Sequence, residues 1–285
     1  MNNLSLHGKV IIVTGGGRGL GLAMVRGLAG AGANVVVPTH IQSDVDDISR
    51  SGDALDDAAG GSILPILVDL RDPTQCQDAV GQTISHFGAV HGLINNAGVA
   101  PAFIAPDHDH PDKPRPKFWD TRDDIVQTVI ATNYVAANRM ASLVAPHLVA
   151  GGWGRIINVT TMIETMHRTG FSCYGASKAA LEMASEIWHQ DLAGTGVSVN
   201  ILNPGGPADT EGLALARREA TRMGAMGPLV VPEKMAAPAI WLCSDESDGI
   251  SGMRYDADPW DAAQPPGTEA ERIGRPLGLR LIPLE

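Results

Sequence analysis

The chain has 285 residues, 44% of them hydrophobic, enough to bury a sizeable core as one large α/β domain. Its formal net charge of −11 argues against nucleic acid or an anionic membrane as the main partner, because phosphate binding needs clustered Lys and Arg, and favours a small molecule instead. Cys76, Cys173 and Cys243 are widely spaced without a CxxC pair, so neither a disulfide framework nor a zinc site is suggested and a reducing compartment fits. The N-terminus lacks an apolar signal core and no run of about eighteen apolar residues occurs, so a soluble cytoplasmic protein is expected.

Val10 to Val13 is a short β-branched run that enters Thr14-Gly-Gly-Gly-Arg-Gly-Leu-Gly21, and Leu22 to Ala29 follows with helical spacing. Strand, glycine turn and helix in that order let backbone N–H groups approach a pyrophosphate, and the helix dipole favours the anion. Glycines 15, 19 and 21 give Gly-x-x-x-Gly-x-Gly, which differs from the G-x-G-x-x-G dinucleotide fingerprint. Asn34 to Val37 is the second strand. At its end a carboxylate would select NAD through the ribose hydroxyl, whereas a nearby Arg would accommodate the 2′-phosphate of NADP. The residues there are Pro38, Thr39 and His40, and Arg18 is the nearest cation in sequence, so NADP is favoured over NAD. Asp44 or Asp46 folding back would supply the missing acid.

Gln42 to Gly61 is polar and reads as a solvated helix with loose ends. Ile63 to Val68 is the third strand, provided that Pro65 occupies an unpaired position. Asp69 stands at its C-terminal end, where it could accept from an adenine amino group. Asp72, directly before Pro73, suits a cap of the next helix and leaves Asp69 free. Val90 to Ile94 is the fourth strand and runs into Asn95-Asn-Ala-Gly98, small residues and amides able to line a cofactor. The proline-rich segment from Val99 to Asp120 is a long loop. His108 and His110 alternate with acids there, but without a scaffold to fix their geometry no metal is expected.

Thr121 to Val149 reads as a long helix with Asn133 near its middle, a poor helix former whose amide needs a surface position or a use. The fifth strand, Gly154 to Val159, ends at Thr160 and Thr161. Tyr174 and Lys178 then lie four residues apart in a run of helix formers, on one helix face. An ammonium fixed beside a phenol favours the phenolate and brings it toward the range useful for proton transfer; the alternative is a surface pair one turn apart. Val197 to Ile201 is the sixth strand, followed by the irregular turn from Asn203 through Pro204 and Gly205 to Thr210. Leu213 to Met226 suits a helical flap over an apolar ligand or a small packed helix. Pro232 to Cys243 is a helix and Gly252 to Tyr255 a last strand. Beyond Asp258 the Pro- and Gly-rich sequence is expected to wrap a neighbouring subunit or to be loose, giving a catalytic domain over 1–258 and an extension over 259–285.

Strands alternating with helices imply an α/β fold with a single doubly wound parallel sheet, helices on both faces and one ligand crevice at the strands' C-terminal ends. Thr14-Gly-x-x-x-Gly-x-Gly21, Asp69, Asn95-Asn-Ala-Gly98, Asn133, Thr161, Tyr174-x-x-x-Lys178 and Asn203-Pro-Gly205 follow in the order seen in the short-chain dehydrogenase/reductase family, which this chain resembles over roughly residues 5 to 256. The resemblance implies a Rossmann-type, NAD(P)-dependent oxidoreductase interconverting a secondary alcohol and a carbonyl. It implies Tyr174 as proton donor and acceptor, Lys178 lowering the tyrosine pKa and holding the nicotinamide ribose, Thr161 polarising the substrate oxygen, and Asn133 keeping a water in a path to the lysine. Thr14, Gly15, Arg18, Gly19, Gly21, Asp69, Asn95, Pro204 and Gly205 would complete the cofactor site, and homodimers or homotetramers are implied. Three features depart from the family pattern: Thr161 replaces the usual serine, the 99–120 loop is long, and the turn before Thr210 has one extra residue. A cofactor-binding sensor or scaffold of the same fold with little turnover is the alternative that the Thr161 replacement supports.

Overall fold

The computed structural model describes residues 4–51, 60–106 and 113–278. His108, His110 and the rest of the 107–112 run lie outside the described residues, as do positions 52–59 of the polar segment and the last seven positions of the tail, 279–285.

Seven parallel strands form the sheet, β1 (Val10–Val13), β2 (Asn34–Thr39), β3 (Ser62–Leu67), β4 (Gly92–Asn95), β5 (Gly154–Asn158), β6 (Val197–Asn203) and β7 (Met253–Asp256), and an eighth, β8 (Arg275–Pro276), runs antiparallel to β7. Their spatial order is β3-β2-β1-β4-β5-β6-β7-β8, with the order reversing at β1. That reversal opens a crevice beyond the carboxyl ends of β1 and β4. β3 is an edge strand, which explains how Pro65 is accommodated opposite Val37 without a ladder donor.

The helices are α1 (Gly19–Gly30), α2 (Gln42–Ser51), α3 (Pro73–Phe87), α4 (Pro101–Ile104), α5 (Asp123–Ile130), α6 (Ala136–Gly151), α7 (Ile163–Met166), α8 (Ser172–Asp191), α9 (Leu215–Arg222), α10 (Ala236–Leu242) and α11 (Pro266–Ile273). Alternate residues of the central strands point to opposite faces. Ile11, Val13, Val35 and Val37 pack with Met24, Leu28 and Trp241 of α1 and α10, whereas Ile12 and Val36 pack with Val80 of α3 and Met140 and Val144 of α6. Truncating one of these fully buried side chains, such as Leu28→Ala, costs about 2–5 kcal/mol. Asp72 caps α3 as expected, accepting from Thr74 and Gln75 N–H.

Two differences from the sequence expectation bear on function. The single helix expected over 121–149 is α5 and α6 joined by a π turn, Ala131–Val135, that carries Asn133; an inserted residue widens the turn without breaking the helix. The described part of the tail does not leave the body. Trp260 is buried against Trp241, α11 follows, and β8 extends the sheet, because Trp260, Ala270 and Leu277 supply apolar contacts that the surrounding Pro, Gly and charge conceal.

Candidate active site

The glycine turn is built as a unit with the end of β4. Thr14 Oγ1 donates to Ile94 O (3.3 Å) and accepts from the N–H groups of Asn96 (3.0 Å) and Ala97 (3.1 Å), so its hydroxyl shapes the turn. Asn96 Nδ2 donates to Thr14 O and Gly15 O at 3.0 and 3.1 Å. A Cβ on Gly21 would stand 2.4 Å from Gly15 O, so only glycine closes this corner. No side chain caps α1, whose first-turn N–H groups therefore stand bare at the crevice. Those donors and the dipole suit a pyrophosphate, and the turn fits a dinucleotide.

Arg18 stands at the ribose corner already engaged. Its Nη2 lies 2.5 Å from Asp44 Oδ1, its Nε donates to both Asp44 oxygens, and its Nη1 donates to Glu211 Oε2 at 2.6 Å. Asp44 has folded back from α2: it is buried, accepts from Thr39 Oγ1 at 3.2 Å, and occupies the space that a Cβ on Gly17 would fill. The two carboxylates raise the guanidinium pKa, Asp44 foremost.

Two expected cofactor contacts are committed elsewhere. Asp69 is not free: Arg71 grips it with Nε at 3.0 Å and Nη2 at 2.7 Å, which holds its carboxyl below the usual range. Asn95 is buried and donates to Ala137 O (3.2 Å) and Asn158 Oδ1 (2.9 Å), joining β4 to α6 and β5. The neighbouring amide, Asn96, is the one that serves the turn. Sequence reasoning took the two together, and only the register of β4 separates them.

Around Tyr174 the structure assembles all four expected residues. Asn133 accepts from Val99 N–H at 2.6 Å, donates to Val99 O at 3.1 Å and donates to Ser177 Oγ at 2.9 Å. Its amide clamps β4's exit to α8. The Nζ of buried Lys178 donates to Val159 O at 2.8 Å, and burial pushes its pKa down to about 8. Tyr174 is partly exposed; burial pushes its phenol up to about 12, and the Thr161 side chain pulls the other way. One donor of the Lys178 ammonium is thus anchored on the main chain just after β5, one helix turn from the phenol.

The segment after β6 drapes over this crevice. Pro204 O accepts from Asp258 N–H at 3.0 Å and Gly205 packs against Asp256, tying the turn to the end of β7. The Thr210 methyl lies against Gly19 and Gly212 lies against Ala100, so the flap spans from the glycine turn to the exit of β4. Its helix, α9, is shorter than the 213–226 expected. Among the described residues no cluster of three metal-ligating side chains occurs.

A nucleotide-type crevice with a tyrosine, a lysine and a hydroxyl at the strand ends defines a dinucleotide-dependent oxidoreductase. The profile of the short chain dehydrogenase family matches residues 9–220, and the chain belongs to that family. It is similar to 3-oxoacyl-(acyl-carrier-protein) reductase FabG of Thermotoga maritima, 26% identical, covering 88% of this chain and 96% of the relative. It is also similar to 2,5-dichloro-2,5-cyclohexadiene-1,4-diol dehydrogenase LinX of Sphingobium indicum, 31% identical, with 87% and 94% covered. A crystal structure described as a putative NAD(P) dependent gluconate 5-dehydrogenase from Beutenbergia cavernae, with bound NADP at low occupancy, superposes with a TM-score of 0.75 at 27% identity, covering 89% of this chain and 96% of that one. The protein is an NAD(P)-dependent oxidoreductase that interconverts an alcohol and a carbonyl.

Proposed function

We propose that Tyr174 exchanges the proton with the substrate oxygen, that Thr161 orients that oxygen, and that Lys178 supports the tyrosine from one turn behind. The observation that carries this is the convergence at the end of β5 of Tyr174, of Thr161, whose side chain draws the phenol pKa down, and of Lys178, anchored on Val159 O at 2.8 Å. When bound, the dinucleotide supplies or accepts the hydride at the carbinol carbon. The bare N-terminus of α1 binds its pyrophosphate, Lys178 holds its nicotinamide ribose, and Pro204 and Gly205 shape the nicotinamide end. A panel of ketones and alcohols, followed by NAD(P)H absorbance with each cofactor in each direction, tests the reading: turnover by the wild type, and its loss in Tyr174→Phe with cofactor affinity retained, supports it. Turnover retained in that variant overturns it.

The cofactor we infer is NADP. β2 ends at Thr39, with His40 next; Asp44 has folded back beside them, but its carboxylate is paired with Arg18, and the exposed Arg18–Glu211 bond is the one that a 2′-phosphate would replace while Asp44 keeps the other edge of the guanidinium. Comparison of the two dissociation constants decides, tighter NAD meaning that Asp44 disfavours the phosphate. The substrate we infer is apolar: Phe118 and Trp119, 70% and 69% exposed, lie on the loop before α5, and Leu215 and Met223 are exposed on the flap. A homodimer or homotetramer is supported by the exposed apolar residues Met183 and Ile187 of α8 and Val149 of α6. No helix of the described residues is long and apolar enough to cross a membrane, and the three buried, free cysteines support a cytoplasmic setting.

A further inference from the structure

A buried ion pair lies directly beneath the residue that meets the phenol. Arg254 of β7 and Glu182 of α8 are 1% and 0% exposed, with Nη1 and Oε2 2.8 Å apart. Arg254 Nη2 donates to Thr161 O at 3.0 Å, and Thr160 Oγ1 donates to Glu182 Oε2 at 3.1 Å. Glu182 follows Lys178 by one turn and Tyr174 by two on the same helix face. Three successive residues at the end of β5 are therefore each gripped by a buried charged side chain: Val159 by Lys178, Thr160 by Glu182 and Thr161 by Arg254.

Stability alone is a poor account of this pair. Taking two charges out of water costs more than apolar packing of the same volume, and here Arg254 Nε and Glu182 Oε1 are buried with no protein hydrogen-bond partner. What the pair provides is direction. The guanidinium is planar and its donors are fixed, so it sets the Thr161 peptide plane and with it the origin of the Thr161 side chain. Thr160 is held by its hydroxyl on the other side of the same chain segment, and its Oγ1 also lies 3.3 Å from Asn203 Oδ1 on β6.

We propose that Arg254 and Glu182 are positioning residues that fix the main chain at Thr161 and so set the reach of its hydroxyl toward Tyr174. The proposal rests on the assignment of Tyr174 and Thr161 above. It places the determinant of phenol geometry on β7, about 80 residues beyond the tyrosine in sequence and outside every motif that identifies the site.

The test uses the full chain carrying Arg254→Met with Glu182→Leu, a paired apolar replacement that keeps the core filled, and separately Arg254→Lys, which keeps a charge beside Glu182 without the rigid fork. Thermal melting checks the fold. For the folded double variant we expect kcat to fall about tenfold or more with KM and cofactor dissociation constants little changed. In cofactor-free protein, NMR of isotopically labelled tyrosine, assigned with Tyr174→Phe, should show the phenol titrating at higher pH than in the wild type, because the Thr161 side chain opposes the effect of burial. Arg254→Lys should show both effects in smaller measure, and it carries the test if the double variant does not fold. Wild-type kcat with an unshifted Tyr174 titration in whichever folded variant is measured overturns the proposal. If the wild type itself turns over no alcohol or ketone, the catalytic assignment fails, and the titration still decides whether the pair positions Thr161.

Discussion

Lys178 and Val159 are joined by a hydrogen bond of 2.8 Å, so the ammonium one turn behind Tyr174 is held by the β5 main chain. The lysine therefore belongs as much to the strand as to the helix. Its burial sets the first two predictions.

Lys178→Met should abolish turnover yet stabilise the protein near neutral pH. The native pKa of about 8 lies below the value of a free lysine, so the folded state disfavours the charged form; the penalty is complete below the native pKa and is relieved as pH rises toward the unfolded one. At about 1.4 kcal/mol per pKa unit this amounts to a few kcal/mol at most, less the lost bond to Val159. Melting midpoints of variant and wild type should differ more at neutral pH than at alkaline pH.

Ketone reduction should be fastest at neutral pH and decline as pH rises through about 8, where Lys178 loses its proton. Tyr174, pushed up to about 12, remains a proton donor throughout that interval. The decline is thus assigned to the lysine, and a kcat–pH profile of the reductive direction checks it.

Thr161→Val should lower kcat about a hundredfold, because it removes, at nearly constant volume, the hydroxyl proposed to orient the substrate oxygen beside the phenol. Thr161→Ser keeps that hydroxyl and should stay within about threefold of the wild type, the methyl serving chiefly to stiffen χ1. Steady-state rates of the two variants separate the hydroxyl from the methyl.

Glu211→Gln should tighten NADP about two- to fivefold and leave NAD unchanged, because an exposed ion pair of this kind is worth only a fraction of a kcal/mol and its removal frees one edge of Arg18. Calorimetric titration with both cofactors checks the difference.

Gly17→Ala should destabilise the protein by about 1–3 kcal/mol and weaken binding of both cofactors. The new methyl would fall 2.5 Å from the Asp44 side chain, so the carboxylate would have to leave Arg18. Denaturant midpoints and dissociation constants measure the two effects.

The strands and the crevice were legible because β-branched runs and glycine turns are local signals. Spacing places Tyr174 and Lys178 on one helix face, whereas their roles and that of Thr161 follow only from the family resemblance. The π turn was not, since the apolar period runs through Ala131–Val135 almost undisturbed. Asn95 and Asn96 could not be told apart, because which amide meets the glycine turn depends on how β4 leaves the sheet. Arg254 and Glu182 look in sequence like ordinary surface charges, and only the packing of α8 on the sheet brings them together. The docking of the described tail residues was not legible, because two residues of strand leave no periodicity to detect.

That short strand has a practical consequence for handling the protein. β8 closes the rim of the sheet beside Met253 and Arg254, and Arg275 pairs with Asp256, which in turn accepts from Asn203. Trimming the chain at Asp258 would turn β7 into an open ladder of unpaired peptide groups and uncover Trp241, inviting strand-to-strand association between molecules. Protein prepared for crystallisation or assay should keep the tail at least through Leu277.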